Sequence, residues 1–213
     1  MARLPGAPGP HRPTEHGPPG RSAFQSDAAA LGRLIGEAFV DDPVSLWAMG
    51  TPAAVIQTYS TLVRHVYLPR GLCTLEDGVG ATLWLPPGAD KRLPFAASLA
   101  LGLSLSLQAP GRHLWRTWHL DQALRRKRPT SAHMYLFAIG VRRSERGRGR
   151  GGLLLSRSLA QCDALQLPVF LENTHPSNRN FYQKHNFEIT ETYSPIKGCP
   201  PIDAMWRPPR PIG

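Results

Sequence analysis

Met134-Tyr135-Leu136-Phe137-Ala138-Ile139-Gly140-Val141 runs without a charge, and Arg146-Gly147-Arg148-Gly149-Arg150-Gly151-Gly152 begins five residues later. The first stretch predicts a buried strand over 134–141, the second a glycine-rich loop. Leu153-Leu154-Leu155 then opens a helix over about 151–165, with Leu155, Leu159 and Cys162 on one face. Glycines let a backbone approach a ligand closely, and successive N–H groups at a helix start attract anions. Arginines beside them add charge-assisted contacts to phosphate. Outward from this core, 169–172 reads as another strand, 178–185 as a short helix and 187–193 as a strand. A last strand is expected around 203–206. Strand, helix, strand, helix, strand with short connections means a layered α/β domain.

Upstream the pattern is helical. After Asp27, an N-cap candidate, Leu31, Leu34, Ile35, Ala38 and Phe39 recur at helical spacing until Asp41-Asp42-Pro43. A second helix is expected over 52–68, ended by Pro69. Two short strands, 72–75 and 81–85, flank the turn Glu76-Asp77-Gly78. Leucines at 99, 101, 103, 105 and 107 alternate as in a strand, but the absence of β-branched residues favours helix over 98–107. A basic helix follows over 113–127. Residues 1–22 hold six prolines and four glycines without apolar periodicity and read as a flexible tail; 23–213 is the single folded domain.

The chain has 213 residues and a net charge of +10, and its hydrophobic fraction of 41% is enough for a core. Residues 112–128 and 142–157 each carry a net five positive charges, which accounts for the whole excess. So localised a field suits a small anionic ligand better than a nucleic-acid coat. No apolar run reaches the roughly 18 residues of a membrane span, the longest candidate being 93–107, and the N-terminus lacks a secretory apolar region. Cys73, Cys162 and Cys199 are odd in number and widely spaced, which argues against a disulfide scaffold or zinc module and fits the cytoplasm. The histidines lack metal spacing, so no metal is expected.

The glycine loop admits other readings. A P-loop needs Gly-Lys-Ser/Thr, which is absent. A Rossmann fingerprint should open the first βαβ unit of a larger domain, whereas this loop comes late in a small chain. An RGG-type RNA-binding segment is normally disordered, and here the arginines are clamped between strand and helix without interleaved aromatics.

The stretch 135–141 followed by Arg146 to Gly151 resembles the Q/R-x-x-G-x-G/A motif of the GNAT N-acetyltransferase superfamily. Phe170 through Phe187 resembles that family's strand, loop and helix ending in an aromatic pair. Leu171-Glu172, Pro176, Asn178 and Phe181-Tyr182 are spaced as in its puromycin N-acetyltransferase-like branch. The likeness is strongest over 131–193 and consistent over 24–87. It implies a mixed central sheet flanked by helices and transfer of acetyl from acetyl-CoA to a primary amine of a small molecule.

By that resemblance, the strand holding Ile139 and Val141 pairs with the pantetheine arm, and Arg146, Gly147, Arg148, Gly149, Arg150, Gly151 and Gly152 cradle the pyrophosphate. Tyr182 protonates the departing thiolate, and Asn178 is a further cofactor contact. Glu172 is the candidate base, directly or through water, with pairing to an arginine or orienting substrate as its alternative. Acetyl transfer needs a neutral amine, a polarised thioester and a proton for the leaving thiolate, and these residue types supply them.

Some positions depart from the family pattern. His175 stands where much of the superfamily has asparagine, and Asn186 replaces the glycine before Phe187, a substitution a left-handed turn tolerates. Only 22–25 is available for a first strand. The acidic pair Asp41-Asp42 reads as a solvated turn, with facing a cationic substrate as its alternative. Neither a nucleic acid nor a membrane is expected as partner, and homodimerisation stays open. The other readings of the chain are a basic nucleic-acid-binding module and a fold that binds acyl-CoA without turnover.

Overall fold

The computed structural model describes residues 21–89 and 91–211. Its centre is a seven-stranded sheet in the order β1-β2-β3-β4-β5-β7-β6. The strands are β1 (Arg21–Ser22), β2 (Leu72–Glu76), β3 (Gly80–Leu85), β4 (Met134–Val141), β5 (Val169–Asn173), β6 (Glu188–Tyr193) and β7 (Ile202–Arg207). All neighbours are antiparallel except β4 and β5. This is the mixed sheet flanked by helices that the sequence implied.

The tail expected over 1–22 lies outside the described residues except at its end, and there the boundary moves. Arg21 and Ser22 are an edge strand pairing with Leu75 and Thr74, and Ala23 N–H reaches Cys73 O at 2.8 Å. The expected first strand at 22–25 therefore shifts upstream, because residues 25–27 turn into a 3₁₀ helix (Gln25–Asp27).

One face of the sheet is covered by α1 (Ala28–Ala38) and α3 (Pro52–Leu62). A Cβ on Gly32 or Gly36 would stand 2.8 Å from Ser60 Cα or 2.6 Å from Ile56 Cα, so these glycines let the two helices touch at the backbone. Between them lies a helix the periodicity did not show, α2 (Pro43–Met49), whose Asp42 cap accepts from Ser45 N–H at 2.8 Å. The helix expected to stop at 68 passes through a π-helical turn (Val63–Tyr67) into α4 (Leu68–Arg70). Pro69 falls in the opening turn of α4, where its missing N–H costs nothing.

The segment joining β3 to β4 is a helix pair, α5 (Phe95–Gln108) and α6 (Gly111–Lys127). The helix reading of the alternating leucines holds: Leu101 and Leu105, one turn apart, are the buried pair. On the other face of the sheet, α7 (Arg150–Ala164) buries Leu155, Leu159 and Cys162 against Leu136, Leu171 and Met205. The short α8 (Arg179–Gln183) follows a 3₁₀ turn (Pro176–Asn178). Asn186 takes the left-handed conformation (φ 64°) that its place after α8 demands.

Candidate active site

The site exists because β4 and β5 part company. They pair only at Met134/Val169, Tyr135/Phe170 and Leu136/Leu171. Beyond Leu136, β4 continues along β3 and β5 along β7, leaving one edge of β4 open. The register of β3 on β4 slips where Leu83 faces Ala138 and Trp84 faces Leu136, so Phe137 is an extra, unpaired residue. Such a bulge bends its strand and sharpens the twist, turning β4 away from β5. The opening is a cleft of about 910 Å³.

Ile139, Val141, Arg146, Gly147, Gly149, Arg150, Gly151, Gly152, Glu172, Asn178 and Tyr182 all line that cleft. Arg148 alone of the sequence-derived set does not; it lies in solvent 3.4 Å from Glu145. A Cβ on Gly140 would meet Ala38 and Ile35, so Gly140 faces α1 while its neighbours Ile139 and Val141 face the α7 side.

The loop owes its shape to Gly147 (φ 76°) and Gly149 (φ 74°), both left-handed. The first intrahelical bond of α7 is Leu153 N–H to Gly149 O, at 3.1 Å. The N–H groups of Arg150, Gly151 and Gly152 precede it and are left for an anion at the positive end of a 15-residue helix. The arginine side chains have other tasks. Arg146 reaches Ala38 O at 3.2 Å and Val141 O at 3.4 Å, tying the loop to α1 and β4. Arg150 lies 3.8 Å from Glu76 and 3.9 Å from Glu145. The anion-binding capacity here is chiefly backbone.

Tyr182 stands across the cleft, its ring edge-on to Phe181 and Phe187. Burial, reinforced by the Asp42 charge, pushes its phenol well above the ordinary value. The hydroxyl therefore stays protonated through neutral pH and takes no hydrogen bond among the described residues. What fixes α8 is Asp203 on β7, nearly fully buried. It accepts two bonds of 2.7 Å from Arg179 at the head of α8, one of 2.7 Å from Thr192 and one of 3.0 Å from Asn173. Burial would raise this carboxyl, but the Arg179, Thr192 and Asn173 bonds outweigh it and hold it below the usual range. His175 has a local role: its Nδ1 meets the Ser177 hydroxyl at 2.7 Å and shapes the turn leading to Asn178.

Glu172 is on the acceptor side of the splay. Its Oε2 accepts from Tyr135 Oη at 2.6 Å, while Oε1 is shielded and has no protein partner. Its alternative as an arginine partner finds no direct bond. The nearest guanidinium, Arg128, stacks 3.7 Å over the Tyr135 ring, and its own Nε and Nη2 are unpartnered.

A second carboxylate joins the site through the reading the sequence ranked second. Asp42, read as part of a solvated turn, is 6% exposed and lines the cleft. Besides capping α2 it accepts from Thr174 Oγ1 at 2.5 Å, just after β5, so it joins the two halves of the site. The reading holds only for Asp41, which is exposed and pairs with Arg143. The signal for Asp42 was there: Asp-Pro with serine three residues after the aspartate is a helix start.

The outer wall comes from α5 and α6: Leu101, Leu105, Leu114, Trp118, Leu120 and Leu124 line it, with Lys91 and Asp121 at its polar end. Lys91 is 6% exposed and lies 3.1 Å from Asp121; burial and the Arg128 charge lower its pKa against the pull of Asp121. Among the described residues no group of three or more His, Cys, Asp or Glu side chains is placed to hold a metal ion.

Comparison with known proteins converges on this architecture. Residues 113–187 match the family model described as Acetyltransferase (GNAT) family. An uncharacterized N-acetyltransferase of Schizosaccharomyces pombe is 27% identical over 164 residues. That is 71% of this chain and 66% of the relative, just under two thirds of its length. A solved structure from Corynebacterium glutamicum, described as histone acetyltransferase HPA2 and related acetyltransferase, shares the fold with a TM-score of 0.64 at 20% identity, over 91% of this chain and 97% of that one. The Drosophila melanogaster polyamine N-acetyltransferase, described as catalysing formation of N-acetylagmatine, does so with a TM-score of 0.54 at 16% identity, over 89% and 98%.

The splayed mixed sheet carries an anion-ready loop on one lip of its cleft and a buried tyrosine on the other. Residues 113–187 are similar to the GNAT acetyltransferase family, whose members use acetyl-CoA as co-substrate, and the fold of the described chain is shared with solved acetyltransferases.

Proposed function

We propose that the chain transfers acetyl from acetyl-CoA to a primary amine of a small molecule by direct attack. The observation that carries this reading is the placement of Tyr182: a buried, protonated phenol without a hydrogen-bond partner among the described residues, facing the cleft between the loop and the two carboxylates. The loop N–H groups hold the pyrophosphate, and the open edge of β4 at Ile139 and Val141 offers backbone groups to the pantetheine. Asn178, exposed at the start of α8, lies beside them. The amine enters from the α5–α6 side, where Asp42 and Glu172 attract its cationic form. Glu172 takes a proton from it. The neutral nitrogen attacks the thioester carbon, the carbon–sulfur bond breaks, the thiolate takes a proton from Tyr182, and the surplus proton on the acylated nitrogen passes to the phenolate, which leaves a neutral amide and restores the phenol.

Several observations support the small-molecule reading. The cleft, at about 910 Å³, is of the size small-ligand sites have, and leucines and a tryptophan of α5 and α6 make its outer wall largely apolar. One family relative of the same fold, the Drosophila enzyme, is described as acting on a polyamine. The spacing of Leu171-Glu172, Pro176, Asn178 and Phe181-Tyr182 supports the puromycin N-acetyltransferase-like branch. The arginines of the basic loop are spent on carbonyls and on Glu145 and Glu76, which disfavours a nucleic acid as partner. Cys73, Cys162 and Cys199 are all free and buried, in keeping with a reducing cytoplasm.

The test is thiol release from acetyl-CoA over a panel of aminonucleosides, amino acids, arylalkylamines and polyamines. Saturable release with one class and its acetylated product by mass carries the reading. Tight acetyl-CoA binding with no acceptor turned over would leave the fold as an acyl-CoA binder.

A further inference from the structure

α5 and α6 face the cleft with one side, and their opposite side is apolar as well. Phe95, Leu99, Leu103 and Leu107 stand four residues apart along α5, a single stripe pointing to solvent with exposures of 84, 53, 62 and 90%. α6 adds Trp115 and Trp118, 55 and 59% exposed. The two are one surface, because α6 rests on α5 where Leu114 lies against Gly102; a Cβ there would be 3.9 Å from Leu114 Cδ1. A helix apolar all round is ordinarily covered. Large apolar side chains gathered on one exposed surface mark an interaction site, where single scattered ones do not.

The charges around the patch indicate what covers it. α5 carries no charged residue, and the one acid on α6, Asp121, is held by Lys91 and by Arg125 at 2.7 Å. Arg112 and Arg126 are exposed on the outer face of α6, on either side of the tryptophans. We infer that this face seats on the surface of an anionic phospholipid bilayer, with Phe95 and the leucine stripe at the acyl boundary, Trp115 and Trp118 among the headgroups and the arginines on lipid phosphates. Aliphatic side chains, interfacial tryptophans and a basic rim are the components of an interfacial helix. Self-association through the face is disfavoured by charge: a two-fold contact would bring two sets of arginines together on chains of net charge +10. The sequence-based expectation of no membrane partner rested on the absence of a spanning helix, and α5 and α6 are surface helices. Trp118 lines both this face and the cleft, so seating would place the cleft mouth at the headgroups.

The experiment is co-sedimentation of the full chain with vesicles of phosphatidylcholine alone and with phosphatidylglycerol added, at two salt concentrations, followed by tryptophan fluorescence. Binding to the anionic vesicles, a blue shift and weakening of tenfold or more at high salt are expected. Leu103→Glu/Leu107→Glu, at exposed positions away from the cleft, should lose that binding by tenfold or more while melting temperature and acetyl-CoA affinity hold. Arg112→Glu/Arg126→Glu, which leaves the stripe intact, should lose it separately. Absence of binding to either vesicle overturns the proposal. So does binding indifferent to salt and lipid charge, or a concentration-dependent dimer abolished by Leu103→Glu/Leu107→Glu without lipid binding, which would assign the face to a second copy.

Discussion

Tyr135 and Glu172 lie on the same face of adjacent parallel strands, and the phenol donates to Glu172 Oε2 at 2.6 Å. Tyr135 sits on the middle of the three paired rungs of β4 and β5, Glu172 on the first residue past them. The bond spans the point where the strands separate. With Oε2 engaged and Oε1 shielded without a protein partner, the carboxylate is held in one orientation at the edge of the splay. Burial and the neighbouring Glu172 charge push the Tyr135 phenol far above its ordinary value, so it is a donor at every working pH.

Glu172→Gln should therefore lower kcat/KM by about 10²-fold, as loss of a general base does. Tyr135→Phe should cost about tenfold, the worth of one hydrogen bond to a charged group. The double variant should be no worse than Glu172→Gln alone, since Tyr135 acts only through the carboxylate. Additive losses would mean that Tyr135 touches substrate itself, and a Glu172→Gln loss of about tenfold or less would leave Glu172 an orienting residue.

Gly149→Val should weaken acetyl-CoA binding by about tenfold or more, read by calorimetry, in a domain that remains folded. A Cβ at Gly149 meets nothing within 4 Å, so the loss comes from conformation and not collision. At φ 74° a β-branched residue is strained, and relief of the strain turns the loop N–H groups away from the phosphates. Gly149→Asn, which tolerates that conformation, should keep most of the affinity. Equal losses in the two variants would point to bulk at the ligand instead.

Much of this was legible because it is local. The loop, its helix and the tyrosine lie within a 50-residue stretch whose spacing sets their geometry. The acceptor side is made of pairs far apart in the chain. Asp42 is buried through Thr174, 132 residues away; its neighbours in the sequence mark the helix cap but not the burial. Glu172 gains its donor 37 residues upstream. α2, with seven residues, is too short to show a helical period, and β1 is two residues held only by its neighbour. The alternating leucines of α5 served two surfaces at once, the core through Leu101 and Leu105 and solvent through Leu99, Leu103 and Leu107.

Asp203→Asn should destabilise by about 2 kcal/mol, less than the full cost of breaking a buried pair because Arg179 is 40% exposed. For a domain of this size that is a fall of roughly 4–8 °C in Tm. The pH dependence follows from the sign of the shift. The folded carboxyl titrates below the unfolded reference of about 3.9, so its stabilisation is full above that value and is lost as pH falls through the lower, folded one. Wild type should therefore lose Tm more steeply than the variant below about pH 4. Parallel acid unfolding curves would show that Asp203 is not a major contributor.

The chemistry at Tyr182 is tested by removing one oxygen. Tyr182→Phe keeps the ring, so its edge-on packing with Phe181 and Phe187 should persist and the melting temperature should change little. The hydroxyl has no partner among the described residues, so its loss strands no buried group. Acetyl-CoA affinity rests on the loop and β4 backbones and should fall only modestly. The turnover number should drop by about 10²-fold or more, the range for a lost general acid. Because burial and Asp42 hold the phenol above its ordinary value, wild type should show no loss of rate from Tyr182 ionisation up to about pH 10. Asp42→Asn removes the charge that adds to that shift and should bring any alkaline limb to lower pH. A turnover number unchanged in a folded Tyr182→Phe would mean that the thiolate leaves unaided or takes its proton from water, with Tyr182 only a wall of the cleft.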